Sequence, residues 1–505
     1  MSIEKPNASA ASTTLFLYGA AVQGIQGFIF QTNELKDIVG ASELVEEICT
    51  DMFKKNFLGD GELIVSAAGN IKCLFSSEKQ CRDAVMYFPK MVMEAAPGIT
   101  ISQAVVKTST EAIENDFQAI VDQLEGRLRS QRNRPCKSLT TGLMGIERSR
   151  RTGLPAVQVV ESDSPDGSKK VEFLDRGTAK KKRRSDKSQS TITLAKTSFG
   201  LDDVDHNDLA LNIEDLTDRN DWIAIIHADG NGLGEILANR GGDKKGLSEF
   251  SGKLSEATIA AAQKTFQELL PRLEKPFPIR PVVLGGDDMT VICRADMAIA
   301  YTLSFLTHFE EETARRGFAL TACAGIAFIK SSYPFYYGYD LAEALCGRAK
   351  KDAKSRKVNG LAPSCLMFHK VQSSFVEDFN DIANKELTPQ AGHSFEFGPY
   401  YLNDREGRWT ISQLLEHAFK LTDRENDKDD KDGNAIKSNI RNWMSLMHED
   451  TGKAEQYKKR VLKLAKKYRE TFQQAVTPIN RDGVACYPAY DIMSISSLLT
   501  LQTKK

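Results

Sequence analysis

The feature that most constrains this 505-residue chain is an order of elements that occurs twice. In residues 221–369, the run from Trp222 to Asp229 is short and almost continuously apolar, which predicts a buried strand. Glycines follow at 230, 232 and 234, and a helical pattern runs from about Ser248 to Leu273 until Pro276 and Pro278 end it. Two β-branched runs, Pro281–Leu284 and Met289–Cys293, flank Gly285, Gly286, Asp287 and Asp288, a hairpin signal. A helix over about Met297–Arg316, a strand over Phe318–Phe328 and a helix over about Asp340–Arg356 complete the set.

Residues 13–107 repeat it. Thr14–Val22 reads as a strand, Phe28–Phe57 as mostly helix, and Leu63–Ala67 with Ile71–Phe75 as a hairpin about Ala68, Gly69 and Asn70. A helix near Glu78–Ala95 and a strand over Ile99–Lys107 follow. Strand, helix, hairpin, helix, strand is the ferredoxin-like or palm arrangement. The predicted fold is therefore α+β, with two such palms in tandem. The expected divisions are 1–127 for a first, degenerate palm, 128–220 for an inter-palm segment, 221–375 for a second palm and 376–505 for a C-terminal helical domain. That last region shows helical patterns near Thr410–Thr422 and Ala435–Met447, a basic stretch at Lys453–Gln474, and a charged loop over Asn426–Gly433.

Charge and cysteine usage narrow the class. The formal net charge is -1, which argues against a free-standing nucleic-acid coat and confines any nucleic-acid contact to local patches. The run Lys180–Arg184 reads as a solvated loop, with an RNA contact as the alternative. Nine cysteines, an odd number without any C-x-x-C pair, fit reduced cytosolic thiols. The apolar stretch from Leu15 reads as a strand and not as a signal peptide, and no run approaches the ~20 residues of a membrane span. A cytoplasmic protein is expected.

The chemistry lies in the second repeat. Nucleotidyl transfer needs divalent ions near the transferred phosphate, held by oxygen ligands. In a palm the first strand lies beside the hairpin, so Asp229 at a strand end meets Asp287 and Asp288 in the turn. The Gly230 carbonyl is a further candidate ligand, and the missing side chains of Gly285 and Gly286 let a nucleotide approach the backbone. The expected ion is Mg2+ or Mn2+. Lys350 and Lys354, four apart on a predicted helix, share one face and can hold a triphosphate. His227 and His369 read as structural. The glycines after Asp229 miss the G-x-G-x-x-G spacing of a dinucleotide site, and no His-Asp dipeptide suggests a phosphohydrolase.

Taken together, these motifs resemble the large-subunit polymerase/cyclase family of type III CRISPR effectors. The resemblance rests on Pro281–Cys293 with its Gly-Gly-Asp-Asp turn, on Leu320–Ile326, on Tyr333 and Pro334, and on the helix around Ala349–Lys354. It extends to Gly24–Phe30, Gly40–Leu44 and Arg151–Ala156. It implies that ATP molecules are joined through 3′–5′ bonds into cyclic oligoadenylates, with two nucleotides meeting between the palms. Asp229, Asp287 and Asp288 would hold metals, Lys350 and Lys354 the triphosphate, and Ser42 the acceptor nucleotide. Implied partners are ATP, guide RNA and effector backbone subunits, or a homo-oligomer in a stand-alone system, and no membrane.

Three departures stand out. Asn231 occupies the place of a second acidic residue, no His-Asp nuclease domain is expected ahead of the first palm, and Cys136 alone cannot form the zinc cluster found between palms in many members. A structural subunit with a silent site, and a diguanylate cyclase, are the competing readings.

Overall fold

In the computed structural model, the described residues are 13–67, 69–134, 145–163, 169–185, 192–217, 221–233, 244–373, 378–426, 432–465 and 467–499. Ala68, Cys136, Gly234 and most of the expected charged loop lie outside them. Two compact units emerge: residues 1–191 with 233–256, and residues 192–232 with 257–505.

The first unit contains β1 (Thr14–Gln23), α1 (Leu35–Glu47), β2 (Glu62–Ala67), β3 (Asn70–Phe75), α2 (Glu78–Ala95), β4 (Thr100–Ser109) and α3 (Thr110–Arg132). Its sheet order is β2-β3-β1-β4, all antiparallel, as the repeated pattern predicts. Leu17, Leu74, Val106, Phe117 and Leu124 form part of the core under α3. No acidic pair occupies this palm's hairpin, where Asn70 stands opposite Ala21 near the end of β1.

The chain between the palms does not stand apart. α3 runs through the expected boundary at 127/128, and residues 145–185 fold with the first unit. They form the hairpin β5 (Ala156–Asp163) and β6 (Lys169–Asp175), followed by α4 (Arg176–Ser185). The solvated-loop reading of Lys180–Arg184 is thus corrected: the run is helical, and Lys181 is fully buried. Its ammonium donates to the Phe28 carbonyl and lies 4.3 Å from the Phe28 ring centroid. Burial, the largest influence, lowers the Lys181 pKa to about 8. Arg184 pairs with Glu43 and Glu47 on α1. A run of basic residues reads as solvent-facing only while its acidic partners, far away in sequence, are unknown. Arg151 is held the same way, by Asp37 and Glu172.

The second unit is built on β7 (Trp222–Asn231), β8 (Ile279–Gly285), β9 (Asp288–Arg294), β10 (Thr321–Lys330), β11 (Cys365–Lys370) and β12 (Tyr400–Tyr401). Their sheet order is β12-β11-β10-β7-β9-β8. The part β8-β9-β7-β10 reproduces the first palm's order, and β11 adds a parallel neighbour to β10. The helices are α5 (Lys244–Leu269), which belongs to this unit from residue 257 on, α6 (Ala298–Arg315) and α7 (Phe335–Lys354), which connects β10 to β11. β7 is buried along nearly its whole length, as a central strand covered on both faces should be.

The helices α8 (Ile411–Asn426), α9 (Asp432–Glu449), α10 (Thr451–Leu464), α11 (Arg469–Val476) and α12 (Ala489–Leu499) belong to this same unit. Tyr400 of β12 donates a 2.6 Å hydrogen bond to buried Asp491 of α12. Burial raises the Asp491 pKa to about 7 against the opposing effect of that bond. A proton held more tightly in the folded state stabilises fully below the ordinary carboxylate range, and that contribution is lost as pH rises through about 7. Asp491→Asn should therefore flatten a decline in melting temperature between pH 5 and pH 8, measured by differential scanning fluorimetry.

Among the described residues the cysteines Cys73, Cys81, Cys293, Cys323, Cys346, Cys365 and Cys486 are free and buried. No helix there is long and apolar enough to cross a membrane.

Candidate functional site: an acid cluster on the second palm

Strand register brings the three aspartates together. β7 pairs with β9 up to Ala228 opposite Met289, so Asp229 and Asp288 follow side by side where the ladder stops. Gly286 and Asp287 form the two-residue loop between β8 and β9, with Gly285 opposite Asp288. Gly286 adopts φ +62°, the left-handed conformation required at the first loop position of a tight hairpin, and its carbonyl accepts a 2.6 Å bond from Thr258 Oγ1 on α5. Gly230 is fixed by packing. A Cβ there would lie 2.8 Å from the Asp287 Cβ and 2.9 Å from its Oδ2. The Asp287 carboxylate thus rests against the β7 backbone, and only glycine leaves it room.

Lys350 reaches the same point from α7. It forms an ion pair with Asp229 and donates a 2.8 Å hydrogen bond to the Gly230 carbonyl. Burial alone would lower the Lys350 pKa, but the Asp229 charge and hydrogen bond outweigh it and hold the group protonated. Lys354, one turn further on, is exposed at the end of α7. Ser42 is buried on α1 of the first unit.

His227 joins the cluster. Its ligating nitrogen and the Asp229 and Asp288 oxygens lie within 4.8 Å of one another. Its Nδ1 lies 3.2 Å from Thr290 Oγ1, its ring meets Tyr339 edge-on, and burial drops its pKa to about 4, so it is neutral at physiological pH. The available sequence signal was the i, i+2 spacing, which puts His227 on the same strand face as Asp229. Asn231 continues that face. Its amide nitrogen donates to Thr321 Oγ1 at 3.0 Å and Cys323 Sγ at 3.3 Å, which leaves its buried Oδ1 without a hydrogen-bond partner.

The electrostatics suit a cation. Burial raises the pKa of Asp287, and the Asp229 charge raises it further. Burial likewise raises Asp288, with Asp287 and Asp229 adding to it. Carboxylates that repel one another at the end of a sheet form an oxygen-rich site that a divalent cation would relieve. A divalent ion should raise the melting temperature over that in EDTA by several degrees, since a ligand at a hundredfold excess over Kd stabilises by about 2.7 kcal/mol. In Asp288→Asn that increment should disappear while the metal-free melting temperature rises.

The fold and this cluster define a tandem-palm protein with a carboxylate site at one end of its second palm. Residues 222–359 match the family model described as "Cas10/Cmr2, second palm domain". Solved structures of a Csm1–Csm4 cassette share the fold. The complex with cA4 aligns at a TM-score of 0.58 and 12% identity, over 98% of this chain and 70% of that one. The complex with cA3 gives 0.58 and 12% over 97% and 70%, and the complex with AMPPNP 0.55 and 11% over 98% and 70%. No curated protein matches the chain. The second palm is thus of the Cas10/Cmr2 type.

Proposed function

We propose that this protein is a nucleotidyltransferase that makes cyclic oligoadenylate-type messengers from ATP in antiviral defence. The observation that carries the reading is the convergence of Asp229, Asp287 and Asp288 on one end of a palm sheet, with Lys350 beside them. Similar folds have been solved with cA4, cA3 and AMPPNP bound, which supports the same ligand class here. In the reaction the 3′-hydroxyl oxygen of one nucleotide attacks the α-phosphorus of another. The bond to the β-phosphate breaks, pyrophosphate departs, and the hydroxyl proton passes to solvent.

Asp229, Asp287 and Asp288 would hold a divalent ion, which when bound would supply hydroxyl activation and neutralise phosphate charge. Asn231 Oδ1 adds a neutral oxygen on the same strand face. Lys350 is assigned to the triphosphate, which requires it to exchange Asp229 and the Gly230 carbonyl for phosphate oxygens, and Lys354 extends that cationic edge. Gly285 and Gly286 keep the approach to the turn open, and Ser42 is assigned to the acceptor nucleotide. The protein acts in the cytoplasm, with guide RNA and effector backbone subunits as partners.

Incubation with ATP and Mg2+ or Mn2+, followed by mass spectrometry, should reveal cyclic 3′–5′ products. Absence of product with every NTP, with and without guide and target RNA, would overturn the reading. Asn231 favours a second one, a structural subunit with a silent site, because its amide brings no charge to the ion. Co-purification with backbone subunits and guide RNA, without any product, would establish that alternative.

A further inference from the structure

At the other end of the second palm's sheet lies a cavity of about 680 Å3. Trp222 and Asp229 stand at opposite ends of β7, seven residues or about 23 Å apart along the strand, so this cavity is separate from the acid cluster.

Topology explains its lining. β10 and β11 run parallel, so their carboxyl ends coincide, and antiparallel β7 brings its first residue to the same edge. Lys330 therefore stands opposite Trp222, with Lys370 on the neighbouring strand. Helices α9 and α12 close the other side with Arg441, Tyr490 and Ser497. The Lys330 and Lys370 ammonium groups lie 4.6 and 4.4 Å from the centroid of the same Trp222 ring. Lys370 also donates a 2.6 Å hydrogen bond to Ser497.

Three cations thus line one cavity, and among the described residues no carboxylate lines it. Burial, then the charges of Lys330 and Arg441, push the Lys370 pKa down to about 8. One aromatic ring shared by two ammonium groups offsets little of their mutual repulsion. An anion seated among the three would reverse its sign. Hydroxyls of serine and tyrosine beside the charges suit phosphate oxygens, and a bounded cavity suits a small ligand better than a continuous strand.

We propose that this cavity binds the phosphates of a nucleotide-sized ligand, such as a nucleoside polyphosphate or the phosphorylated end of a short oligonucleotide. Trp222 is a built-in reporter, because phosphate oxygens would draw both ammonium groups off its ring. The full-length protein is titrated in EDTA, which leaves the acid cluster without divalent ions. The probes are tripolyphosphate, ATP and a long single-stranded RNA, and tryptophan emission is followed.

The expected result is a saturable, salt-sensitive response to tripolyphosphate and ATP. It should vanish in Trp222→Phe, persist in Asp287→Asn, and weaken at least about tenfold in Lys370→Gln and in Arg441→Gln. Arg441 is exposed, so its variant carries the test even if Lys370→Gln melts early. Binding unchanged in both charge variants at unaltered melting temperature would overturn the proposal. So would a response to RNA with none to tripolyphosphate or ATP.

Discussion

Asp287→Ala is expected to lower cyclic-product formation at least about a hundredfold, read as product per enzyme by mass spectrometry at saturating ATP and Mn2+. The size of the effect follows from where the carboxylate lies. Asp287 occupies the hairpin loop, its side chain lies on the Gly230 backbone, and it touches the charges of Asp229 and Asp288. Alanine removes one of three anionic ligands and the group that packs on β7, without loss of a core side chain. The variant should therefore melt near the parent in EDTA while its metal-induced rise in melting temperature shrinks. Loss of activity with an unchanged metal response would detach Asp287 from metal binding. Undiminished product would remove the acid cluster from the reaction altogether.

How far this arrangement was legible in the sequence depended on how local its causes are. The strand ending at Asp229 could be read because a central palm strand is buried on both faces, and here it stays apolar but for His227 until its first charge. The turn at Gly286 could be read because a two-residue loop with positive φ selects glycine. The repeated element order then gave both sheets. What stayed hidden was set by contacts between distant segments. Lys350 was expected to face phosphate, but without a ligand it satisfies Asp229 and a carbonyl 120 residues away in sequence. His227 was set aside as structural, since a lone histidine in a strand carries no sign of its neighbours. Lys181 was read as solvated because nothing in a basic run announces that Phe28 will cover it or that two acids of α1 will pair with Arg184. The cationic cavity escaped for the same reason, its charges coming from two strands and a helix far apart in the chain.

Gly325→Ala should destabilise the second unit by about 3 kcal/mol and reduce cyclic-product formation along with it. Gly325 lies mid-strand in β10, opposite His227 on one side and Met367 on the other, and α7 crosses it at close range. A Cβ at this position would fall 1.9 Å from the Ala342 carbonyl oxygen and 2.5 Å from the Cys346 nitrogen. Both obstacles are helix backbone, so a rotamer change cannot relieve the clash and α7 itself must move. Lys350 sits one turn beyond Cys346, and its 2.8 Å bond to the Gly230 carbonyl would stretch with that movement. A single methyl group would thus reach the acid cluster through the helix that carries its lysine. Gly347, on the exposed face of the same helix, meets nothing within 4 Å of an added Cβ. Gly347→Ala should therefore stabilise by up to about 1 kcal/mol through helix propensity alone. Denaturant melts of the two variants should move in opposite directions, and equal behaviour would show that α7 does not depend on the contact at Gly325.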